Sequence, residues 1–125
     1  MGAVTVITSG KGGVGKSTLT AALGLALCER GRRVLLVDAD AGLGCLDHIL
    51  DISEEMVFDI SDVVSGITEP KKAVYVCPYC RNLFLLPAPA DENDIVSPDI
   101  MKQLIPMYKG FYDHILIDSP AGIGA

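Results

Sequence analysis

The most specific chemistry in this chain lies in Gly10-Lys11-Gly12-Gly13-Val14-Gly15-Lys16-Ser17. Two glycines bracket a four-residue gap and are followed by a lysine and a hydroxyl residue, the pattern of a phosphate-binding loop. Gly10, Gly12, Gly13 and Gly15 open backbone conformations closed to residues with a Cβ, so successive amides can point inward at a polyphosphate. Lys16 supplies a mobile positive charge for the β- and γ-phosphates, and the Ser17 hydroxyl is a ligand for magnesium. The bland alternative is a glycine-rich turn without ligand, and the flanking residues argue against it. Ala3 to Thr8 is a β-branched run of strand length. Leu19, Leu23, Ala26 and Leu27 then recur at helical spacing, with Gly31 as a stop. Strand, glycine loop, helix is the arrangement that the loop requires, with free helix amides and a positive dipole end beneath the phosphates.

Three aspartates could serve a magnesium nucleotide beside this loop. Asp118 follows the apolar run His114–Ile117 and suits a role holding magnesium, directly or through water, alongside Ser17. Asp38 closes the apolar run Val34–Val37 and would support the metal shell, while Asp40 could orient or deprotonate an attacking water. The amide of Gly122 could sense a γ-phosphate. Lys11 is unusual for such a loop. It is either a solvated charge or a second cation reaching the γ-phosphate of a partner subunit, in the manner of an arginine finger.

The elements that must position these groups can be read from pattern. Strands are expected at Ala3–Thr8, Arg32–Val37, Leu83–Leu86 and His114–Ile117. Helices are expected after the loop, over Phe58–Val64 with a stop at Gly66, and from Ser97-Pro98-Asp99, where Pro106 should kink or end the last one. A short helix could also follow Leu46-Asp47. Strands alternating with helices predict an α/β fold of three layers, a mostly parallel sheet flanked by helices. In such a sheet the glycine loop, Asp38 and Asp118 all fall on the carboxyl edge, where open α/β folds bind ligands.

The 125 residues allow one domain, residues 1–125, and half of them are hydrophobic, which argues against wholesale disorder. A net charge of −6 argues against broad nucleic-acid binding. No secretory signal is legible, so a cytoplasmic protein with reduced cysteines is expected. Cys28 and Cys45 read as small packing residues. Cys77-Pro78-Tyr79-Cys80 matches the redox motif of glutaredoxin-like proteins, or half of a zinc site. The redox motif should open a helix, and here a strand follows. Zinc needs two more ligands, and His48 and His114 offer no paired spacing.

The stretch from Lys11 to Thr18 is similar to the deviant Walker A motif of the MinD/ParA ATPases. Asp38-Ala39-Asp40-Ala41-Gly42-Leu43-Gly44-Cys45-Leu46-Asp47 resembles their first switch, and Asp118-Ser119-Pro120-Ala121-Gly122-Ile123 their second. Within the family, the resemblance is greatest to the MinD branch, although the flagellar-number ATPases share a very similar first switch. Gly44-Cys45 departs from the arginine and asparagine common in that loop. The resemblance implies a phosphate-loop ATPase that binds ATP or ADP with Mg2+. Gly10, Lys11, Gly12, Gly13, Val14, Gly15, Lys16, Ser17, Thr18 and Gly122 would contact the nucleotide, and Ser17, Asp38 and Asp118 would hold the metal. Lys11, Lys16 and Asp40 would carry catalysis. It also implies an ATP-dependent homodimer, MinC-like and MinE-like regulators of division-site placement, and membrane association at the inner face through a C-terminal helix. That helix, the base-contacting segment and the family's later strands are absent from these 125 residues, so an apparently truncated, N-terminal portion of such a domain is expected.

Overall fold

The computed structural model describes residues 3–7, 14–39, 46, 50, 52, 57–89 and 97–119, with the side chains of 14–17 and 98 left aside. Its elements are β1 (Ala3–Ile7), α1 (Val14–Glu29), β2 (Val34–Asp38), α2 (Ile60–Val64), a 3-10 turn (Pro70–Ala73), β3 (Tyr75–Cys77), β4 (Cys80–Leu86), α3 (Pro98–Tyr108) and β5 (His114–Asp118). The strands form one sheet in the order β1-β5-β2-β4-β3. The first four in that order run parallel, and β3 pairs antiparallel with β4.

This order explains the three layers. α1 carries the chain from β1 past the place of β5 to β2, and α3 carries it back from β4 to β5. Right-handed crossovers in opposite directions put their helices on opposite faces. One face buries Leu35, Val37, Phe84, Leu86, Ile115 and Ile117 against α2 and α3. The other buries Val34, Leu36, Leu83, Leu85 and Leu116 against α1, with Leu46, Leu50 and Ile52 beside them. Because β2, β5 and the second half of β4 are covered on both sides, Val34–Val37, Ile115–Ile117 and Leu83–Leu86 are continuously apolar rather than alternating.

The helical spacing of leucines marks α1 but not the face it buries. Leu19 and Leu23 are exposed, and the residues packed inward are Thr20, Ala21, Gly24 and Cys28. Small residues are needed there because the helix lies close on the sheet: a Cβ on Gly24 would stand 2.9 Å from side-chain atoms of both Leu36 and Leu83. Gly31 ends the helix with φ 83°. Its N–H donates to Cys28 O, and that of Arg32 donates to Leu27 O, which satisfies the last carbonyls.

On the opposite face, Asp59 caps α2 by accepting from the Ser61 and Asp62 amides, and Asp62 accepts in return from the Asp59 amide. Ser97 caps α3 as expected, its Oγ accepting from Ile100 N at 3.3 Å. Pro106 does not end this helix, which runs on to Tyr108. The proline sits on the exposed side of the helix.

Two sequence expectations fail around the cysteines. The sheet has a fifth strand, β3, and Cys77-Pro78-Tyr79-Cys80 is the two-residue turn joining it to β4. Cys28 is also more than a packing residue: besides lying in the core it is joined to Cys80, 52 positions away, by a disulfide. The tight seating of α1 brings its last turn over the start of β4. Cys77, the other member of the C-x-x-C pair, is a free, buried thiol.

Candidate functional site

The site is built where three parallel strands end together. Asp118 is the Cα partner of Ile7 on one side and of Asp38 on the other. Backbone bonds tie the same three ends, from Ser119 N to Ile7 O at 3.1 Å and from Ala39 N to Asp118 O at 2.9 Å. Side chains alternate along a strand. Val37 and Ile117 face α2 and α3, whereas Leu36 and Leu116 face α1, so Asp38 and Asp118 emerge on the α1 side. Both carboxylates are deeply buried, at 3% and 0% exposure. Ser119, beside them, is equally buried.

α1 begins at this edge on the same side. Val14, Gly15, Lys16 and Ser17 form its first turn, and Thr18 follows as an exposed residue. The glycine loop therefore has both ends anchored: it leaves β1 at Ile7, directly beside Asp118, and enters the helix at Val14. Gly10, Lys11, Gly12 and Gly13, together with Asp40 and Gly122, lie outside the described residues. So do Cys45 and His48.

The donors present suit magnesium. Two carboxylates on neighbouring parallel strands, which lie about 5 Å apart in a sheet, offer hard oxygen ligands, and Ser17 lies in the first turn of the helix that covers them. Magnesium takes one or two carboxylates and completes its shell with substrate phosphates and water. Among the described residues, no group of three or more His, Cys, Asp or Glu side chains is placed to hold a metal ion.

A second concave feature lies at the other end of the sheet and was not legible in the sequence. A cavity of about 500 Å³ is lined by Glu69, Lys71, Arg33, Tyr108, Phe111 and Tyr112, among others. Arg33 organises it. Its backbone N–H donates to Asp113 Oδ2 at 2.8 Å, and its Nε donates to Phe111 O at 3.0 Å. Its guanidinium lies over the rings of Phe84 and Tyr112, 4.9 and 5.4 Å from their centroids. The Arg33 N–H bond holds the Asp113 carboxyl below its ordinary value, with Arg32 adding to the effect. Burial pushes the Tyr108 and Tyr112 phenols up. Each of these residues is ordinary in sequence, and only the packing of the 3-10 turn, the end of α3 and the start of β2 brings them together.

Comparison with known proteins bears on the carboxyl-edge site. The profile of the CobQ/CobB/MinD/ParA nucleotide binding domain matches residues 5–104, a span that contains the glycine loop and Asp38. The chain belongs to this family. Among its relatives, the septum site-determining protein MinD of Thermotoga maritima is 46% identical over 124 residues, covering 98% of this chain and 46% of that protein. In the MinC:MinD cell division protein complex of Aquifex aeolicus, one chain superposes with a TM-score of 0.83 at 47% identity, over 96% of this chain and 48% of that one. MinD of Pyrococcus horikoshii, solved with Mg-ADP, gives a TM-score of 0.84 at 38% identity, over 98% and 50%. The chain thus spans about half the length of these relatives. The three-layer phosphate-loop fold expected from the sequence is the fold of this CobQ/CobB/MinD/ParA member. No helix among its described residues is long and apolar enough to cross a membrane.

Proposed function

We propose that this chain supplies the phosphate and magnesium site of a MinD-like ATPase that acts as a molecular switch in bacterial division-site placement. One observation carries the reading: Asp38 and Asp118 stand in register on the face covered by α1, beside the strand end from which the glycine loop departs. The loop amides and Lys16 would bind the β- and γ-phosphates, with the α1 N-terminus beneath them. Ser17, Asp38 and Asp118 would hold magnesium, which when bound neutralises charge developing on the phosphate oxygens. Asp40 would position the hydrolytic water, and the Gly122 amide would read the γ-phosphate. Lys11 would reach across an ATP-dependent homodimer. The solved relatives support the same assignment, one with Mg-ADP and one in a complex with MinC. MinC-like and MinE-like regulators, and a cytoplasmic protein that visits the inner membrane surface, follow from the same reading.

Titration calorimetry with Mg-ATP, phosphate release and sedimentation of the native chain, Lys16→Ala and Lys11→Ala test it. Lys16→Ala should reduce turnover by about 10²–10³-fold, the loss seen when a charge-stabilising donor is removed. Lys11→Ala should leave monomeric binding intact and abolish ATP-dependent association. Turnover indifferent to Lys16→Ala would sink the ATPase reading. Saturable binding without turnover in the native chain would reduce it to a nucleotide-binding module.

A further inference from the structure

The motif that the nucleotide site does not absorb is Cys77-Pro78-Tyr79-Cys80, together with Cys28. Cys80 opens β4 and is bonded to Cys28 in the last turn of α1, with a Cα–Cα distance of 6.8 Å. It is also the Cα partner of Cys77 across the β3–β4 turn. The register of β3 on β4 shifts between Val76 and Cys77; paired residues of an antiparallel ladder lie about 4.5–5.5 Å apart, inside the roughly 4.4–6.8 Å that a disulfide spans. Cys28 and Cys77 are buried in the apolar cluster under α1, and Cys80 packs against it. Cys80 therefore has two sulfur partners within reach, one already bonded and one a free thiol. It is only half-buried, and the turn beside it is open, with Tyr79 69% exposed.

We propose that Cys28, Cys77 and Cys80 form a thiol relay in which Cys80 exchanges its disulfide partner between Cys28 and Cys77. The Cys77 thiol gives up its proton, and its thiolate attacks Cys80 Sγ. The Cys77–Cys80 bond forms as the Cys28–Cys80 bond breaks, and Cys28 leaves as a thiolate that takes up a proton. No electrons enter or leave, so the step needs no oxidant or reductant. Its consequence is mechanical. In one isomer the far end of α1 is tied to the sheet; in the other the bond closes only the four-residue turn and the helix end is released. Because α1 begins at the glycine loop, the relay acts on the same helix as the candidate site, but it does not depend on what that site binds.

The relay makes a counting prediction that is testable without substituting any of its three cysteines. A Cys45→Ser background removes the fourth thiol from the count. The folded protein is incubated between pH 6 and pH 9, quenched in acid, alkylated and mapped by mass spectrometry without reduction. One free thiol per chain is expected throughout, shared between Cys77 and Cys28, with Cys77–Cys80 and Cys28–Cys80 peptides in matching proportion. The rate at which the two interconvert should rise about tenfold per pH unit while the thiolate is the minor form. Cys28→Ala, oxidised with glutathione disulfide, should give Cys77–Cys80, and Cys77→Ala should hold Cys28–Cys80 without exchange. A free thiol that stays at Cys77 at every pH, with no Cys77–Cys80 peptide in Cys28→Ala, would overturn the relay. So would stoichiometric zinc protecting all three thiols from alkylation.

Discussion

The two ends of the parallel sheet treat aspartate in opposite ways. At the amino edge Asp113 is answered by the polypeptide itself: its carboxylate accepts from Arg33 N, and its own N–H donates back to Arg33 O at 2.8 Å. The Arg33 side chain then closes over Phe84 and Tyr112. At the carboxyl edge Asp38 and Asp118 stand side by side, buried, beneath a helix that begins with a phosphate-loop sequence. The amino edge ties β2 to β5 through Arg33 and Asp113, and the carboxyl edge gathers the two aspartates that the proposed site would use. Substitutions at the two edges should therefore separate stability from binding in opposite senses.

The largest effect is expected at the carboxyl edge. Asp118→Asn keeps the shape and removes one of the paired charges. Affinity for Mg-ATP, measured by calorimetry, should fall by about 10–100-fold, the usual cost of losing a group that orients or ligates a metal. The unfolding midpoint without nucleotide should stay level or rise, since sites built for ligands commonly give up stability. A variant that binds normally but melts early would erase the contrast between the edges.

The sequence made the carboxyl edge more legible than the amino edge for a physical reason. Phosphate chemistry demands particular residues at fixed spacing within one loop, and an acid after a buried strand interrupts an apolar run visibly, as at Asp38 and Asp118. The amino-edge cluster is assembled from Arg33, Tyr108, Phe111 and Tyr112, four residues from three segments, and no local pattern announces it. The same locality explains the other differences. β3 is only three residues long, too short for alternation to show. Leucine spacing gave the existence of α1 but the wrong impression of its buried face, because a close helix–sheet contact selects Ala21, Gly24 and Cys28 over larger side chains. The Cys28–Cys80 bond joins positions that only the packing of α1 brings together.

At the amino edge the middle-sized effect belongs to Tyr108, whose hydroxyl donates to Pro70 O at 2.7 Å. Tyr108→Phe should cost about 1 kcal/mol at neutral pH, the typical net value of such a bond. Its pH dependence has a definite sign. Burial, with Tyr112 adding to it, raises the phenol above its ordinary 10.0, so its contribution is complete below pH 10 and is lost as pH climbs toward the raised value. Denaturant melts between pH 9 and pH 11 should show the native chain losing stability more steeply than the variant. Tyr112, shifted the same way, would leave the variant a residual slope. Parallel curves would mean that the phenol is not sealed in the folded state, and the cavity at this edge would then be wetter than its lining suggests.

The smallest effect, and the sharpest test of how this edge is fastened, is Asp113→Asn. The bond from Arg33 N holds the carboxyl below its ordinary 3.8. A depressed carboxyl contributes stability above its unfolded value and loses it as pH falls through the folded one. Native and variant should therefore differ modestly at pH 7, by less than Tyr108→Phe, and converge as the pH drops below about 3.8. Asparagine can still accept from Arg33 N, so what the comparison isolates is the charge on the acceptor rather than the bond itself. Salt offers an independent check. The attraction of Arg32 for this exposed carboxylate should be screened within a Debye length of about 10 Å at 0.1 M, whereas the short bond to Arg33 N should persist. A difference at pH 7 that vanishes on adding salt would assign the effect to Arg32. One that survives salt but disappears in acid would assign it to the Arg33 amide, and would show that a bond to the polypeptide, rather than a neighbouring charge, fastens the amino edge.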